Sequence, residues 1–381
     1  MKRAIVIVLD GVGAGEAPDS AEFGDADHPS TLKHVWDHVG GVNAPTLQGL
    51  GMFAAGGINA EPRLEGWSTR FGRLRELSQG GKDSVTGHWE MMGVVASERF
   101  ATYPEGFPSE LVQSFEARIG TRTLGNKAAS GTAVIAELGE EHMKSGHPIL
   151  YTSADSVFQV AAHEKIIQIE RLYEICEIGR ELSDVQRVIA RPFIGDPVSG
   201  FTRTERRRDF PLAPPDNLVD LVATKLGPVY GVGVVPELFA GRGFKSVKRT
   251  QSNSEHEGAM HTALDSDAAF IFANFEDFDM LYGHRNDPVG FAKCLEEFDE
   301  TLNGILDRLK DDDLLIITAD HGNDPTSAST DHSREYVPVV VCQRASVGSA
   351  TNLGDTDGMA AVGATVARHL GLEWAHGIAL I

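Results

Sequence analysis

Short apolar runs rich in β-branched residues recur along the chain, each followed by a turn and then an amphipathic stretch. Residues 4–9 (AIVIVL), 268–275 (AAFIFANF) and 314–318 (LLIIT) are the strongest of them. A strand covered by helices on both faces needs apolar side chains at every position, so these runs predict parallel strands of a buried sheet. Residues 70–77 (RFGRLREL) alternate polar with apolar and predict a half-buried strand. Further strands are expected near 229–232 and 336–342. Helices are expected at 30–39, with Ser30 as N-cap, and at 46–52, 217–226, 256–264, 288–309 and 357–370. This alternation defines an α/β chain.

The pattern changes between about residues 101 and 215. There, helices at 109–119, 132–144 and 170–182 and strands at 148–152 and 186–190 predict a separate α+β segment. Residues 210–217 (FPLAPPDN) carry three prolines and read as the linker back to the first pattern. The expected organisation is therefore a core in two parts, 1–99 and 216–381, interrupted by a domain at 100–215.

Composition narrows the function. At 381 residues the chain exceeds one ordinary hydrophobic core, and its formal net charge of −21 disfavours nucleic acid and anionic membranes as partners. The first apolar run is too short for a signal-peptide core, and no run reaches membrane-spanning length. Three widely spaced cysteines, Cys176, Cys294 and Cys342, lack any C-x-x-C spacing. They indicate neither a disulfide framework nor a thiolate metal site, and a reducing cytoplasm is the expected location.

Candidate chemistry lies where the apolar runs stop. Asp10, Asp279 and Asp320 each fall just beyond a predicted strand, and His284, His321 and His332 follow two of them. The carboxyl ends of parallel strands share one edge, so these carboxylates converge there. Six oxygen and nitrogen ligands exceed one four-coordinate site and suit two metals. Ligation by Asp and His without thiolate favours Mn2+ or Zn2+ over Ca2+, with Mg2+ also open. Residues 11–20 (GVGAGEAPDS) depart from a dinucleotide fingerprint and read instead as a tight turn that presents Asp10. In residues 81–93 (GKDSVTGHWEMMG), Thr86 lies at or just before a helix start, where it could cap the helix or bind phosphate. Beside two metals its hydroxyl becomes a candidate phosphoryl acceptor. Arg203, Arg206, Arg207 and Arg208 form a local guanidinium cluster suited to a phosphate.

Four segments, GKDSVTGHWEMMG, YTSADSVFQVAAHE, DFDMLYGHRND and TADHGNDPTSASTDHSREYVPV, together resemble the phosphopentomutases of the alkaline phosphatase superfamily. The resemblance spans essentially the whole chain. It implies an alkaline-phosphatase-like core, with a central mostly parallel sheet flanked by helices and an inserted α+β cap. It further implies phosphorylated Thr86 as nucleophile, one metal held by Asp279, His284 and His332, and another by Asp10, Asp320 and His321. Two divalent ions, Mn2+ foremost, are the implied cofactors, with a sugar bisphosphate needed to phosphorylate Thr86. Ser153, Asp155 and Val157 fall where the family contacts the pentose, and Arg191 and Arg207 where it contacts the distal phosphate. The implied reaction interconverts ribose or 2-deoxyribose 1-phosphate and 5-phosphate through a 1,5-bisphosphate.

Two positions depart from the family pattern. An expected Gly-Lys-Ile reads Gly233-Val234-Val235, and an expected Asn in the Arg-rich segment reads Arg206. Arg206 could replace the missing ammonium, or the pocket could take a different sugar phosphate. A two-metal phosphomonoesterase on the same core and a silent metal- or sugar-phosphate-binding module are the other readings.

Overall fold

A computed structural model describes residues 2–25, 27–153, 156–245 and 249–381. It divides into two compact units, Met1–Glu98 with Pro214–Ile381, and Arg99–Ala213.

Among the described residues of the first unit, seven strands form one mixed sheet, in the order Ser349–Asp357, Trp67–Arg75, Val337–Arg344, Asp313–Thr318, Arg3–Leu9, Phe270–Phe275 and Tyr230–Val232. The last four are mutually parallel, whereas Val337–Arg344 runs antiparallel to both of its neighbours. Arg3–Leu9 and Asp313–Thr318 are buried along their whole length, as unbroken apolar runs require. Register fixes the ligand edge. Val8 pairs with both Asn274 and Thr318, so Asp10 and Asp320, each two residues further on, leave the sheet at the same level.

The helix Pro288–Arg308 buries Phe291, Leu295, Phe298, Leu302 and Ile305, an apolar stripe at helical spacing, and meets the sheet where the Phe298 ring lies 5.0 Å from that of Phe275. Burying each such side chain contributes about 1.5–3 kcal/mol. The Asp287 side chain accepts from Gly290 N at 2.9 Å, and Pro288 occupies the first turn, where its missing N–H costs nothing.

The second unit carries its own sheet, in the order Leu124–Ala128, Ile149–Thr152, Val157–His163, Arg187–Asp196 and Gly200–Arg203, with Arg208–Pro211 also paired to Arg187–Asp196. Side-chain alternation splits its core in two. Phe158, Val160, Val188 and Ala190 join Phe115, Leu172 and Ile175 on one face, while Tyr151, Ala161 and Phe193 join Val134 and Ile135 on the other.

The sequence placed Arg191 at the exit of a strand. The structure puts it inside Arg187–Asp196, paired with Ala161 on the Phe193 face. The strand Ser349–Asp357 was not expected at all. It is exposed and polar, and holds to Trp67–Arg75 by backbone pairing and by ion pairs such as Arg73 to Asp355 at 2.7 Å. No helix among the described residues is long and apolar enough to cross a membrane.

Candidate active site and metal centre

The three aspartates expected at strand ends do converge. Asp10 follows Arg3–Leu9, Asp320 follows Asp313–Thr318 on one side of it, and Asp279 sits in the one-turn π-helix Phe278–Tyr282 after Phe270–Phe275 on the other. Two groups of donor atoms result, Asp10 with Asp320 and His321, and Asp279 with His321 and His332. In the first, His321 Nε2 lies 3.3 Å from Asp10 Oδ1 and 3.5 Å from Asp320 Oδ2. In the second, Asp279 Oδ2 is 3.1 Å from His284 Nε2, and Asp279 Oδ1 is 3.4 Å from His332 Nε2. The Nε2 atoms of His284 and His332 are 3.1 Å apart.

All three histidines share one orientation. Nδ1 of His284 meets Thr330 O at 2.7 Å, Nδ1 of His321 meets Gly322 O at 3.1 Å, and Nδ1 of His332 meets Lys82 O at 2.9 Å. A carbonyl oxygen only accepts a hydrogen bond, so each ring carries a hydrogen on Nδ1 and aims Nε2 at the cluster, the orientation in which an imidazole that gives up its Nε2 proton can bind a metal. The carboxylates fit as well. Asp10 Oδ1 and Asp320 Oδ2 are buried without a hydrogen-bond partner. Orphaned carboxylate oxygens converging on imidazole nitrogens are a donor set that a divalent cation satisfies.

Without a cation the charges are strained. Burial, and next the Asp320 charge, push the Asp10 carboxyl above its ordinary range. At Asp279 burial also acts upward, but hydrogen bonds from His284 and His332 outweigh it and hold the carboxyl well below that range. Burial works against protonation of His321, yet Asp320 and Asp10 raise its pKa well above the ordinary value.

The hydroxyl facing this cluster is not the expected one. Thr86 lies in the first turn of the helix Ser84–Met91, where Asp83 and Thr86 form a reciprocal capping box. Its Oγ1 donates to Asp83 O at 2.9 Å and accepts from Asp83 N at 3.3 Å, which turns it into its own helix. Ser84, two residues earlier, instead places Oγ 3.2 Å from His321 Nε2. Both hydroxyls belong to the motif read from the sequence, but only helix phase distinguishes them. Gly87 permits this approach, since a Cβ there would overlap the Asp320 carbonyl oxygen.

The candidate substrate residues fall within the second unit, where Arg191, Arg203 and Arg207 line a cavity of 620 Å3 with Thr132, Thr202 and Thr204. Arg191 Nε donates to Gln159 Oε1 at 3.2 Å, and Arg207 pairs with Asp209 at 2.6 Å. Arg206, proposed from the sequence as a phosphate group, is ion-paired with Glu164 and is not among the cavity's lining residues. Val157 begins the strand Val157–His163 and is buried, and Ser153 is half-buried just before it. Asp155 lies outside the described residues. In the first unit, Val234 N donates to Glu276 Oε1 at 2.5 Å, so the position expected to carry a lysine faces a carboxyl group.

Paired aspartates and histidines on the carboxyl edge of a mixed α/β sheet define a metalloenzyme, and residues 231–374 match the family model described as the metalloenzyme superfamily. The phosphopentomutase of Dictyoglomus turgidum is 50% identical over 347 residues, covering 90% of this chain and 87% of the relative. That of Caldanaerobacter subterraneus subsp. tengcongensis is 49% identical over 376 residues, covering 96% and 94%. A solved structure of the PH0037 protein from Pyrococcus horikoshii aligns with a TM-score of 0.49 at 16% identity, covering 99% of this chain and 98% of that one. The chain belongs to the phosphopentomutase family, and its α/β core carries the mixed central sheet, with a second sheet in the other unit.

Proposed function

We propose that the protein interconverts ribose or 2-deoxyribose 1-phosphate and 5-phosphate through a phosphorylated enzyme, and that the phosphorylated residue is Ser84. The observation that carries this reading is the Ser84 hydroxyl at 3.2 Å from His321 Nε2, inside a buried cluster of aspartates and histidines. Asp10, Asp320 and His321 would hold one divalent cation, and Asp279, His284 and His332 the other, with Mn2+ proposed as the ion for this thiolate-free donor set. When bound, the two cations would neutralise phosphoryl charge and lower the proton affinity of the serine hydroxyl.

The protein's own groups do the rest. Ser84 opens the helix Ser84–Met91, whose start is held by Val85 N and Thr86 N donating to Asp83 Oδ1 at 2.9 and 3.1 Å, and this fixes the Ser84 hydroxyl beside His321. Phosphoserine 84 donates its phosphoryl group to the free hydroxyl of a pentose monophosphate. The bond from phosphorus to Ser84 Oγ breaks, a bond to the sugar oxygen forms, and the sugar's proton replaces the phosphoryl group on serine. The resulting 1,5-bisphosphate returns its other phosphate to Ser84. A sugar bisphosphate would load the first phosphate onto the enzyme. Arg191 and Arg207 are proposed to bind substrate phosphate, and the three guanidinium groups lining their cavity support that role.

Incubation with ribose 5-phosphate, Mn2+ and a catalytic amount of bisphosphate tests the reading. Ribose 1-phosphate as product is expected, and inorganic phosphate as the sole product would overturn it. Peptide mapping after brief exposure to the bisphosphate should place phosphate on Ser84.

A further inference from the structure

Each aspartate of the cluster has one oxygen engaged by an N–H donor. For Asp320 the donors are backbone groups, Gly11 N at 3.2 Å and His321 N at 3.1 Å, both to Oδ1. For the other two the donor is a side-chain amide. Asn274 Nδ2 donates to Asp10 Oδ2 at 2.6 Å, and Asn323 Nδ2 donates to Asp279 Oδ1 at 2.6 Å. The oxygen left over on Asp10, Oδ1, faces His321 Nε2 at 3.3 Å, and the one left over on Asp279, Oδ2, faces His284 Nε2 at 3.1 Å, while the amide-bound Oδ1 of Asp279 stands further off, 3.4 Å from His332 Nε2.

Neither asparagine is explained by packing. Asn274 interrupts the apolar strand Phe270–Phe275, both residues are fully buried, and the amide oxygen of each has no hydrogen-bond partner. A leucine would fill such a position without burying an unpaired carbonyl. The surroundings also make room for the Asn323 contact. A Cβ on Gly283 would stand 2.6 Å from Asn323 Cγ, and one on Gly11 would stand 3.1 Å from Asp279 Oδ1. The Asn323 backbone is fixed in turn, since its N–H donates to Gly11 O at 2.8 Å and Thr31 Oγ1 lies at 3.2 Å, while Thr31 Oγ1 donates to buried Glu335 at 2.7 Å.

We propose that Asn274 and Asn323 are positioning residues, each of which ties back one oxygen of a ligand aspartate so that Asp10 and Asp279 each present a single oxygen to a cation. This inference rests on the two-cation reading above. One-oxygen ligation suits a compact coordination shell, whereas Ca2+ gathers a larger shell that often takes carboxylates through both oxygens. The two amides therefore set both affinity and the preference for Mn2+ over Ca2+, and each acts on its own site.

The test is calorimetric titration of the chelator-stripped full chain with Mn2+ and with Ca2+, with paramagnetic resonance of the bound Mn2+. Wild type should show two Mn2+ binding events, one removed by Asp10→Asn and the other by His284→Ala. Asn274→Leu should weaken the first about tenfold to a hundredfold and leave the second unchanged, and Asn323→Leu should do the reverse. In each variant the Mn2+ preference over Ca2+ should shrink, and the Mn2+ resonance of the affected site should change. Unchanged Mn2+ affinity, or equal weakening of both events, in a variant with wild-type circular dichroism overturns the proposal. If the leucine variants do not fold, Asn274→Ser and Asn323→Ser, whose hydroxyls fall short of the carboxylates, decide it by the same criteria. A wild type that takes up no Mn2+ defeats the two-cation reading itself.

Discussion

Ser84 Oγ meets His321 Nε2 at 3.2 Å, while the hydroxyl of Thr86, in the same helical turn, is closed into hydrogen bonds with Asp83. Two hydroxyls of one turn thus have opposite duties, one presented to the Asp/His cluster and one holding the helix start. Ser84→Ala should abolish the phosphorylated enzyme and lower turnover at least about a thousandfold, as loss of a nucleophile does. Thr86→Ala should keep the phosphorylated enzyme and lose about 1 kcal/mol of stability through the broken cap. Mass mapping of the phosphopeptide, with denaturant melts of both variants, separates these duties, and phosphate found on Thr86 would refute the assignment.

How far the site could be read from the chain follows from what each position depends on. Asp10 and Asp320 were legible because unbroken apolar runs can only be buried strands, and the carboxyl ends of parallel strands share an edge. Ser84 was not, because a segment rich in hydroxyls fixes neither its cap residue nor its helix phase, and one residue of phase turns a side chain by roughly 100°. Asn274 showed only as a polar residue inside FIFANF, and its contact with Asp10 depends on which strand becomes the neighbour. Ser349–Asp357 gave no signal, since a strand held by its backbone on an exposed face needs no hydrophobic alternation.

Buried His256 gives a test in pH. Its Nδ1 meets Thr250 Oγ1 at 2.7 Å, and burial lowers its pKa to about 4, so the folded ring stays neutral where the unfolded ring, near 6.5, takes up a proton. The unfolded state therefore binds more protons between these values, and stability falls as pH drops from about 6.5 to about 4. His256→Gln should reduce this slope by up to about 1.4 kcal/mol per pH unit and leave the slope above pH 7 unchanged. Urea melts at stepped pH measure it, and parallel slopes for the two proteins would count against it.

Chelation should loosen the fold as well as silence the enzyme. Without a cation, Asp10 and Asp320 face each other as buried carboxylates with one unpaired oxygen apiece. A cation that binds the folded chain alone stabilises it by about 2.7 kcal/mol per site at a hundred times its dissociation constant. Scanning calorimetry of chelator-stripped protein should thus show a lower melting temperature that Mn2+ restores. A transition unmoved by Mn2+ would mean that these residues hold no cation.

Gly87 tests whether the helix of Ser84 must press against the Asp320 loop. The glycine sits in the helix Ser84–Met91, and a Cβ on it would overlap the Asp320 carbonyl oxygen and stand 2.9 Å from Asp320 Cβ. Relief of this overlap by a shift of the helix or of the Asp320 loop is expected to lengthen the 3.2 Å contact between Ser84 and His321. Because alanine favours helix over glycine by about 1 kcal/mol, a Gly87→Ala change free of contact would stabilise the protein. Contact reverses the sign: overpacking of this kind costs about 1–3 kcal/mol, and displacement of the hydroxyl by even an ångström should lower turnover about a hundredfold. Melting and turnover measured on Gly87→Ala decide between the two, and a variant that is more stable and fully active would show that the close approach does not matter.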